Sequence, residues 1–249
     1  MQDIHGNDRS GSYAGSKPFT PAGKHPAKFN DALIPVIAAA INGRARVLDP
    51  MAGTGKIATV KDYGFCGQVF CNDIEDWGAA RVYNQLVDNW TFCDAAKLPY
   101  PDGFFDAIAT SPTYGNGINQ NRPAVPWYRV ITYRAYFGKP LTEGNTGSVK
   151  WGKTYRDMHL RIYAEMKRVL SRDGVLVVNM ADFVKSAEIV KVSEWHAQAL
   201  AQCGFEMVGH EEVACKKMRF GSNGHKRVGH EVVMTFRPEV EPLDSRTKL

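Results

Sequence analysis

The tetrapeptide Ser111-Pro112-Thr113-Tyr114 combines residue types that can hold a flat ring bearing an amino group. It directly follows the apolar run Phe104 to Thr110, which predicts a buried strand that ends at this loop. The Ser111 hydroxyl and the Pro112 carbonyl can accept the two hydrogens of an exocyclic amine, and Tyr114 offers a stacking face. A base inside a duplex would reach such a loop only by flipping out. The alternative is an ordinary turn at the end of a strand.

A glycine turn further upstream is a candidate cofactor site. The apolar pair Val47-Leu48 leads into Asp49-Pro50-Met51-Ala52-Gly53-Thr54-Gly55-Lys56, whose glycines allow a ligand to approach the backbone closely. A Walker phosphate loop is excluded, because Pro50 and Ile57 stand where it needs Gly and Ser or Thr. A dinucleotide fingerprint fits better, with the G-x-G-x-x-A spacing at Gly53, Gly55 and Ala58 and with Asp73 about 20 residues on. S-adenosylmethionine has the same adenosine ribose without a pyrophosphate, so the turn suits it equally. Together with the tetrapeptide, the turn favours methyl transfer.

In their order and spacing, these motifs resemble those of the amino-methylating DNA methyltransferases, which modify cytosine N4 or adenine N6. The family's cofactor motif reads approximately D-P-x-x-G-x-G, here Asp49 to Gly55, and its catalytic motif reads S/D/N-P-P-Y, here Ser111 to Tyr114. Three further segments match in order: His25-Pro26-Ala27-Lys28-Phe29, Val69 to Asp73, and Asp94 to Pro99. Thr113 departs from the family pattern, which has a second Pro there. The resemblance extends from about His25 to Phe236.

The resemblance implies S-adenosylmethionine as the cofactor and assigns residues to each part of it. The methionine end would contact His25, Lys28 and Phe29. The glycine turn would contribute Asp49, Pro50, Met51, Ala52, Gly53 and Gly55. The ribose would bind Asp73 beside Ile74, and the adenine would bind Asp94 beside Ala95. Ser111, Pro112 and Tyr114 would hold the target amine for in-line transfer, so that orientation and positioned dipoles rather than a strong base would drive the reaction.

The function implied is therefore methylation of an exocyclic amino group of a DNA base. Cytosine N4 is the first expectation, because Ser at position 111 is the usual family choice for cytosine. Adenine N6 in DNA and a base amino group in RNA are the enzymatic alternatives. A nucleic-acid-binding protein that retains the fold without turnover is the non-enzymatic alternative. Methylation of cytosine carbon 5 is disfavoured, because Thr113 stands where that chemistry would need a Cys nucleophile.

Composition is typical of one globular α/β domain. The chain has 249 residues, of which 44% are hydrophobic and 23% are charged, and its formal charge is +5. No apolar stretch reaches the roughly 18 residues of a membrane span, and the N-terminal segment lacks a signal sequence. Five scattered cysteines indicate neither a disulfide framework nor a zinc site. These features predict a cytoplasmic protein without a membrane or metal partner, and they leave the oligomeric state open.

The order of apolar segments predicts a Rossmann-like class I methyltransferase fold, with a mostly parallel seven-stranded sheet and a C-terminal antiparallel hairpin. We expect a flexible tail over residues 1–24, a methyltransferase domain over 25–238 and a second tail over 239–249. Strands are predicted near Ala45 to Leu48, Gln68 to Asn72, Trp90 to Cys93, Phe104 to Thr110 and Gly174 to Met180, with helices between them. Further helices are predicted over Asp31 to Ile41, Tyr155 to Leu170 and Ile189 to Cys203, and the hairpin over Glu206 to Val213 and Glu231 to Phe236.

Two loops within that domain are candidate contacts for DNA, or possibly RNA. The insertion 115–153 is rich in aromatic and basic residues, among them Trp127, Tyr128 and Arg129, which suits binding of unstacked bases. The hairpin loop 214–229 carries Lys216, Lys217 and Arg219, which suit phosphate contacts. The alternatives are a lid that packs on the core and a solvated hairpin tip.

Overall fold

The computed structural model describes residues 30–78, 81–115, 140–215, 224–226 and 228–239, in which nine strands form two sheets. The strands are β1 (Arg46–Asp49), β2 (Gln68–Asn72), β3 (Asn89–Thr91), β4 (Phe105–Thr110), β5 (Leu170–Met180), β6 (Phe183–Lys185), β7 (Glu188–Val190), β8 (Phe205–Ala214) and β9 (His230–Pro238). Seven of them form one sheet in the order β3-β2-β1-β4-β5-β9-β8. The first five are parallel, and β9 runs antiparallel to both β5 and β8. The predicted fold is confirmed.

Helices cover both faces of this sheet, because alternate residues of its central strands point to opposite sides. On one face, Val47, Ala107 and Val177 pack with helix α1 (Leu33–Ala40) and the 3₁₀ helix Lys56–Tyr63. The other face packs against α2 (Lys153–Val169) and α3 (Val192–Gln202), through residues such as Leu48, Ile108 and Leu176. The central strands are therefore apolar over most of their length, since neither of their faces is exposed to water.

Several sequence-based boundaries and connections differ from the structure. The helix predicted over Tyr155 to Leu170 begins at Lys153 and ends at Val169, and its buried face includes His159 and Tyr163. The helix predicted from Ile189 begins only at α3, because Glu188–Val190 pairs with Phe183–Lys185 in a small hairpin. Between β2 and β3 the described residues contain 3₁₀ turns such as Asn84–Leu86 and no α-helix, and residues 92–104 contain no helix. The expected helices between these strands are wrong there.

The ends of most strands lie at one edge of the sheet. The carboxyl ends of β1 to β5 lie at this edge because those strands are parallel. The start of β9 lies there too, because β9 is antiparallel to β5 with Met180 opposite Val232. Loops at this edge are where open α/β sheets bind ligands. No helix within the described ranges is long and apolar enough to cross a membrane.

Candidate functional site

The glycine turn after β1 is fixed by two residues in left-handed backbone conformations. Gly53 has φ +55° and Gly55 has φ +78°, values that residues with a Cβ atom rarely adopt. A Cβ atom on Gly55 would lie 2.8 Å from Cζ2 of Trp90, so there is also no space for a side chain. The backbone N–H of Gly53 donates to Oδ2 of Asp73 at 2.8 Å. The turn is therefore held against the end of the neighbouring strand.

Asp73 lies where the sequence places it, but its carboxylate is engaged by backbone groups. Besides the Gly53 contact, its Oδ1 accepts the N–H of Glu75 at 2.9 Å. Burial raises the pKa of Asp73 to about 6, and these two hydrogen bonds oppose the shift. In this structure Asp73 braces the glycine turn.

Asn72, the last residue of β2, connects two loops of the site. Its side-chain nitrogen donates to the carbonyls of Pro50 and Cys93, both at 3.0 Å. Its side-chain oxygen accepts the Thr91 hydroxyl at 2.8 Å, and its own carbonyl accepts the N–H of Ala52 at 2.8 Å. The side chain is fully buried, and both of its polar atoms are satisfied. It thus fixes the spacing of the loops after β1 and β3.

Asp49 ends β1 and is also buried, at 3% exposure. Its Oδ1 accepts the N–H of Met51 at 3.1 Å and the hydroxyl of Thr110, the last residue of β4, at 2.7 Å. Burial raises the pKa of Asp49 to about 7 against the effect of these hydrogen bonds, and the nearby Asp73 carboxylate adds to the shift. A buried acid that titrates near neutrality is typical of a functional site.

Residues 140–148, called the strap below, cross this edge of the sheet. Glu75 is buried, and its Oε1 accepts the N–H of Thr142 at 2.6 Å and the side-chain amide of Asn145 at 3.1 Å. A Cβ atom on Gly144 would lie 3.3 Å from Cδ1 of Ile74 and 3.6 Å from Oδ2 of Asp94. The strap therefore lies beside side chains expected at the ribose (Ile74) and at the adenine (Asp94).

The strap also reaches the tetrapeptide loop. The hydroxyl of Thr113 donates to that of the buried Thr146 at 2.8 Å. Just beyond the strap, the N–H of Trp151 donates to the carbonyl of Gly115 at 2.9 Å. Thr113, which replaces the usual second Pro, is thus a contact residue of the strap.

The tetrapeptide loop follows β4 as predicted, but its hydroxyls face protein groups. Oγ of Ser111 accepts a hydrogen bond from Asn179 at 3.1 Å and lies 3.1 Å from the hydroxyl of Tyr114. The Tyr114 hydroxyl donates to Oε2 of Glu231 at 3.3 Å. Burial and then the Glu231 carboxylate raise the pKa of Tyr114 strongly, so its hydroxyl stays protonated. The loop is therefore part of a polar cluster that includes β5 and β9.

Buried aromatic residues support this loop from below. The hydroxyl of Tyr155 donates to the Thr113 carbonyl and lies 2.8 Å from Nε2 of His196, while the other ring nitrogen of His196 contacts the hydroxyl of Tyr163. Burial lowers the pKa of His196 well below its usual value, so the ring is neutral. A neutral ring fits a one-way chain in which Tyr163 donates to His196, His196 to Tyr155, and Tyr155 to the loop carbonyl.

The predicted site residues that the structure describes lie along one edge. These residues are Asp49, Pro50, Met51, Ala52, Gly53, Gly55, Asp73, Ile74, Asp94, Ala95, Ser111, Pro112 and Tyr114. The remaining predictions lie outside the described residues: His25, Lys28, Phe29, Trp127, Tyr128, Arg129, Lys216, Lys217 and Arg219.

Four polar residues at this edge were not predicted from the sequence: Asn72, Glu75, Asn179 and Glu231. Asn179 is a polar residue inside the otherwise apolar run Gly174 to Met180, and that exception was the available signal. Nothing in the sequence indicated that Glu231 would lie beside Tyr114, because the two are 117 residues apart.

Comparisons with known proteins support the predicted fold and contradict the predicted family. No family model matches the chain. It is 33% identical over 93 residues to the ubiquinone/menaquinone biosynthesis C-methyltransferase UbiE of Cupriavidus taiwanensis, a match that covers 34% of this chain and 38% of that protein. The chain thus matches well under two thirds of the length of this curated relative.

Two solved structures share the overall architecture. One is the 4+2 cyclase SpnF, with a TM-score of 0.51, 16% identity, and coverage of 84% of this chain and 82% of that one. The other is the 1,6-didemethyltoxoflavin N1-methyltransferase of Burkholderia thailandensis, solved with S-adenosylhomocysteine, with a TM-score of 0.50, 17% identity, and coverage of 84% and 79%. At these identities the likeness concerns the fold, and a cyclase on the same fold shows that the fold alone does not fix the reaction.

The predicted membership of the amino-methylating DNA methyltransferases is wrong, because the curated relative is a C-methyltransferase and no family model supports the DNA enzymes. The glycine turn and the strand-end acids indicate a cofactor that many methyltransferases share. They therefore could not identify the methyl acceptor. The tetrapeptide was the acceptor-specific motif, and the hydroxyls of its Ser111 and Tyr114 contact Asn179 and Glu231. What the chain does have is the Rossmann-like class I methyltransferase fold.

Proposed function

We propose that this chain transfers a methyl group from S-adenosylmethionine to a small molecule. The cofactor predicted from the sequence is confirmed by the comparisons, since the curated relative is a methyltransferase and one structural neighbour was solved with S-adenosylhomocysteine. The acceptor proposed is a carbon atom of a small molecule, as the name of that relative suggests. Neither DNA nor RNA is supported as a partner by these comparisons.

The observation that carries the proposal is the division of the sheet edge into two halves. The end of β2 contributes Asn72, and the loops after β1, β2 and β3 contribute the glycine turn, the two acids Asp73 and Glu75, and Asp94. We assign this half to the cofactor. The loop after β4 contributes Ser111 and Tyr114, and the strands β5 and β9 contribute Asn179 and Glu231. We assign them to the methyl acceptor, with Pro112 shaping the loop.

The two halves meet between β1 and β4, where Asp49 accepts the hydrogen bond of Thr110. A methyl group passing in line from sulfonium to acceptor must cross this boundary, and holding both reactants rigidly on either side of it lowers the entropic part of the barrier. The chain's own contribution is thus binding, orientation and exclusion of water.

Calorimetry with S-adenosylhomocysteine and with NAD tests the cofactor half. We expect binding of the former only, and loss of it in Gly53→Val, since a Cβ atom at φ +55° is strained and blocks backbone approach. Gly43→Val is the matched control, because Gly43 has φ +76° but no atom within 4 Å of a Cβ position.

Transfer from S-adenosylmethionine labelled in the methyl group tests the acceptor. The protein is incubated with a small-molecule extract, with DNA and with RNA in parallel, and the products are separated by mass. We expect label in a nuclease-resistant small molecule, carried on carbon. Label in nucleosides, or absence of S-adenosylhomocysteine binding, would contradict the proposal.

A further inference from the structure

Two residues of the strap hold both oxygens of the Glu75 carboxylate. The N–H of Thr142 and the side-chain amide of Asn145 donate to Oε1 at 2.6 Å and 3.1 Å, and the hydroxyl of Thr142 donates to Oε2 at 3.1 Å. Glu75 is buried, whereas Thr142 is exposed. A surface segment, rather than the core of the protein, therefore provides these donors to a buried acid of the cofactor half.

Gly144 brings the strap against two more side chains of the cofactor half. A Cβ atom on Gly144 would lie 3.3 Å from Cδ1 of Ile74 and 3.6 Å from Oδ2 of Asp94, the side chains expected at the ribose and at the adenine. Ribose hydroxyls would donate to Glu75 as the strap donors do. A ring placed between Ile74 and Asp94 would overlap the position of Gly144. The strap and the adenosine part of the cofactor thus need the same groups and the same space.

The strap is also attached to the acceptor half. The hydroxyl of Thr113 in the tetrapeptide loop donates to that of Thr146 at 2.8 Å, and Thr146 directly follows Asn145 in the chain. A movement that takes Asn145 away from Glu75 therefore pulls on the contact with the tetrapeptide loop.

From these contacts we infer that the strap is an autoinhibitory segment, which occupies the adenosine-binding groups until the cofactor displaces it. The inference rests on the proposed function. Since cofactor and strap exclude each other, the apparent affinity for the cofactor falls in proportion to the fraction of molecules in which the strap is free of Glu75. Displacement of the strap also frees the tetrapeptide loop from Thr146. The cofactor therefore binds before the methyl acceptor.

Hydrogen exchange on the wild-type protein tests the inference directly. The N–H of Thr142 should exchange faster when S-adenosylhomocysteine is saturating, because displacement takes this group from Glu75 into water. The N–H of Gly53, which donates to Asp73, is the internal control and should not exchange faster. A segment that only closes over the cofactor would show slower exchange at Thr142. Slower or unchanged exchange there would overturn the inference.

Asn145→Asp should weaken the hold of the strap. It keeps an oxygen for the N–H of Gly147, which Oδ1 of Asn145 accepts at 2.8 Å, but it places a carboxylate against that of Glu75. We expect S-adenosylhomocysteine to bind about tenfold more tightly in calorimetry, the factor typical of one hydrogen bond to a charged group. Lys150→Gln changes the net charge equally at an exposed position beyond the strap and should leave the affinity unchanged. Equal or weaker binding by folded Asn145→Asp would contradict the inference.

A double variant, Thr113→Cys with Thr146→Cys, should fix the strap in place. The two hydroxyl oxygens lie 2.8 Å apart, so sulfur atoms in their positions are close enough to form a disulfide. The oxidised double variant should bind S-adenosylhomocysteine at least about tenfold more weakly, and a reductant should restore the affinity. Each single variant, treated in the same way, is the control. Undiminished binding by the disulfide-bonded protein would overturn the inference.

The exchange measurement on the wild-type protein decides the question even if a variant fails to fold. Failure of S-adenosylhomocysteine to bind the wild-type protein would overturn the proposed function. Binding without faster exchange at Thr142 would overturn only the inference about the strap, so the two failures are distinct.

Discussion

The carboxylate of Asp49 accepts the hydroxyl of Thr110 at 2.7 Å inside the protein, and this contact joins the cofactor turn to the strand that ends at Ser111. Burial raises the pKa of Asp49 to about 7, so the side chain exchanges its proton near neutrality. A ligand that brings a positive charge to this turn would favour the ionised form and would therefore release a proton on binding.

The first prediction concerns the pH dependence of cofactor binding. The ammonium group of S-adenosylhomocysteine should lower the pKa of Asp49, so affinity should rise with pH up to about 7, by up to about tenfold per pH unit, and level off above it. Asp49→Asn should bind more weakly and lose the dependence between pH 6 and 7. The residual dependence below about 6 would come from Asp73, whose pKa is raised to about that value. Calorimetry across this range measures it, and an unchanged profile in Asp49→Asn would contradict the assignment.

The second prediction concerns Asn72, whose nitrogen donates to the carbonyls of Pro50 and Cys93. Asn72→Asp has the same shape but places an oxygen against two carbonyl oxygens in a buried position. We expect a loss of about 3 kcal/mol or more in the free energy of unfolding, measured by urea denaturation. Asn42→Asp, at an exposed position after α1, is the control and should cost little. A small effect at Asn72 would mean that the loops after β1 and β3 keep their spacing without it.

The third prediction separates backbone strain from lack of space at Gly55. Gly55 and Gly43 have nearly the same φ, +78° and +76°, but only a Cβ atom at Gly55 would meet a neighbour, Trp90. Both changes to Ala should cost about 1 kcal/mol for backbone strain. Gly55→Ala should cost a further 1–3 kcal/mol from overpacking and should weaken S-adenosylhomocysteine binding. Equal losses in the two variants would show that the indole moves aside.

The fourth prediction concerns the support of the tetrapeptide loop. Tyr155→Phe removes the hydroxyl that donates to the Thr113 carbonyl and leaves Nε2 of His196 without its partner. Tyr163→Phe removes a hydroxyl from the far end of the same chain and keeps the loop contact. Each should destabilise the protein by about 1–3 kcal/mol. Only Tyr155→Phe should also lower turnover, and both variants should keep their affinity for S-adenosylhomocysteine. Equal turnover in the two variants would show that these residues contribute to stability alone.

The fifth prediction distinguishes Glu75 from Asp73 as the acid that binds the cofactor ribose. Both oxygens of Asp73 accept backbone N–H groups, which hold this carboxylate in place. Glu75 instead accepts hydrogen bonds from the hydroxyl of Thr142 and the side-chain amide of Asn145. The hydroxyls of the ribose could replace these two donors. Glu75→Gln should therefore weaken S-adenosylhomocysteine binding about tenfold or more, while Thr142→Val should leave it within about threefold. Equal losses would indicate that Glu75 only anchors the strap. Glu188→Gln, at an exposed position in β7, is the control for the loss of a carboxylate.

Sequence reasoning succeeded where local pattern decides structure. The apolar runs at Gln68–Asn72 and Phe105–Thr110 became strands with almost the predicted bounds, because a strand buried on both faces has to be apolar throughout. The glycine turn was equally readable, since positive φ at Gly53 and Gly55 requires glycine. The small hairpin at β6 and β7 was not, because three-residue strands leave too short a pattern to compete with the helix signal that follows.

The residues of the acceptor half were harder to predict from the sequence, because only the folded chain brings them into contact. Ser111 and Tyr114 were found from their motif, but their partners Asn179 and Glu231 come from distant strands whose pairing no local pattern specifies. Motif spacing suggested an acceptor class that the comparisons contradict. Contacts between strands that are far apart in sequence, rather than the motif, determine what the loop can bind.

The position of β9 also determines when the protein can be completed during synthesis. β9 follows β8 in the chain but lies between β5 and β8 in the sheet, so β8 has no place in the sheet until β9 has been made. A nascent chain that ends before β9 exposes the unpaired edge of β5, which is open to pairing with other chains. The same strand brings Glu231 beside Tyr114. Closing the sheet and completing the acceptor half are therefore one event, and no partly synthesised chain should be active.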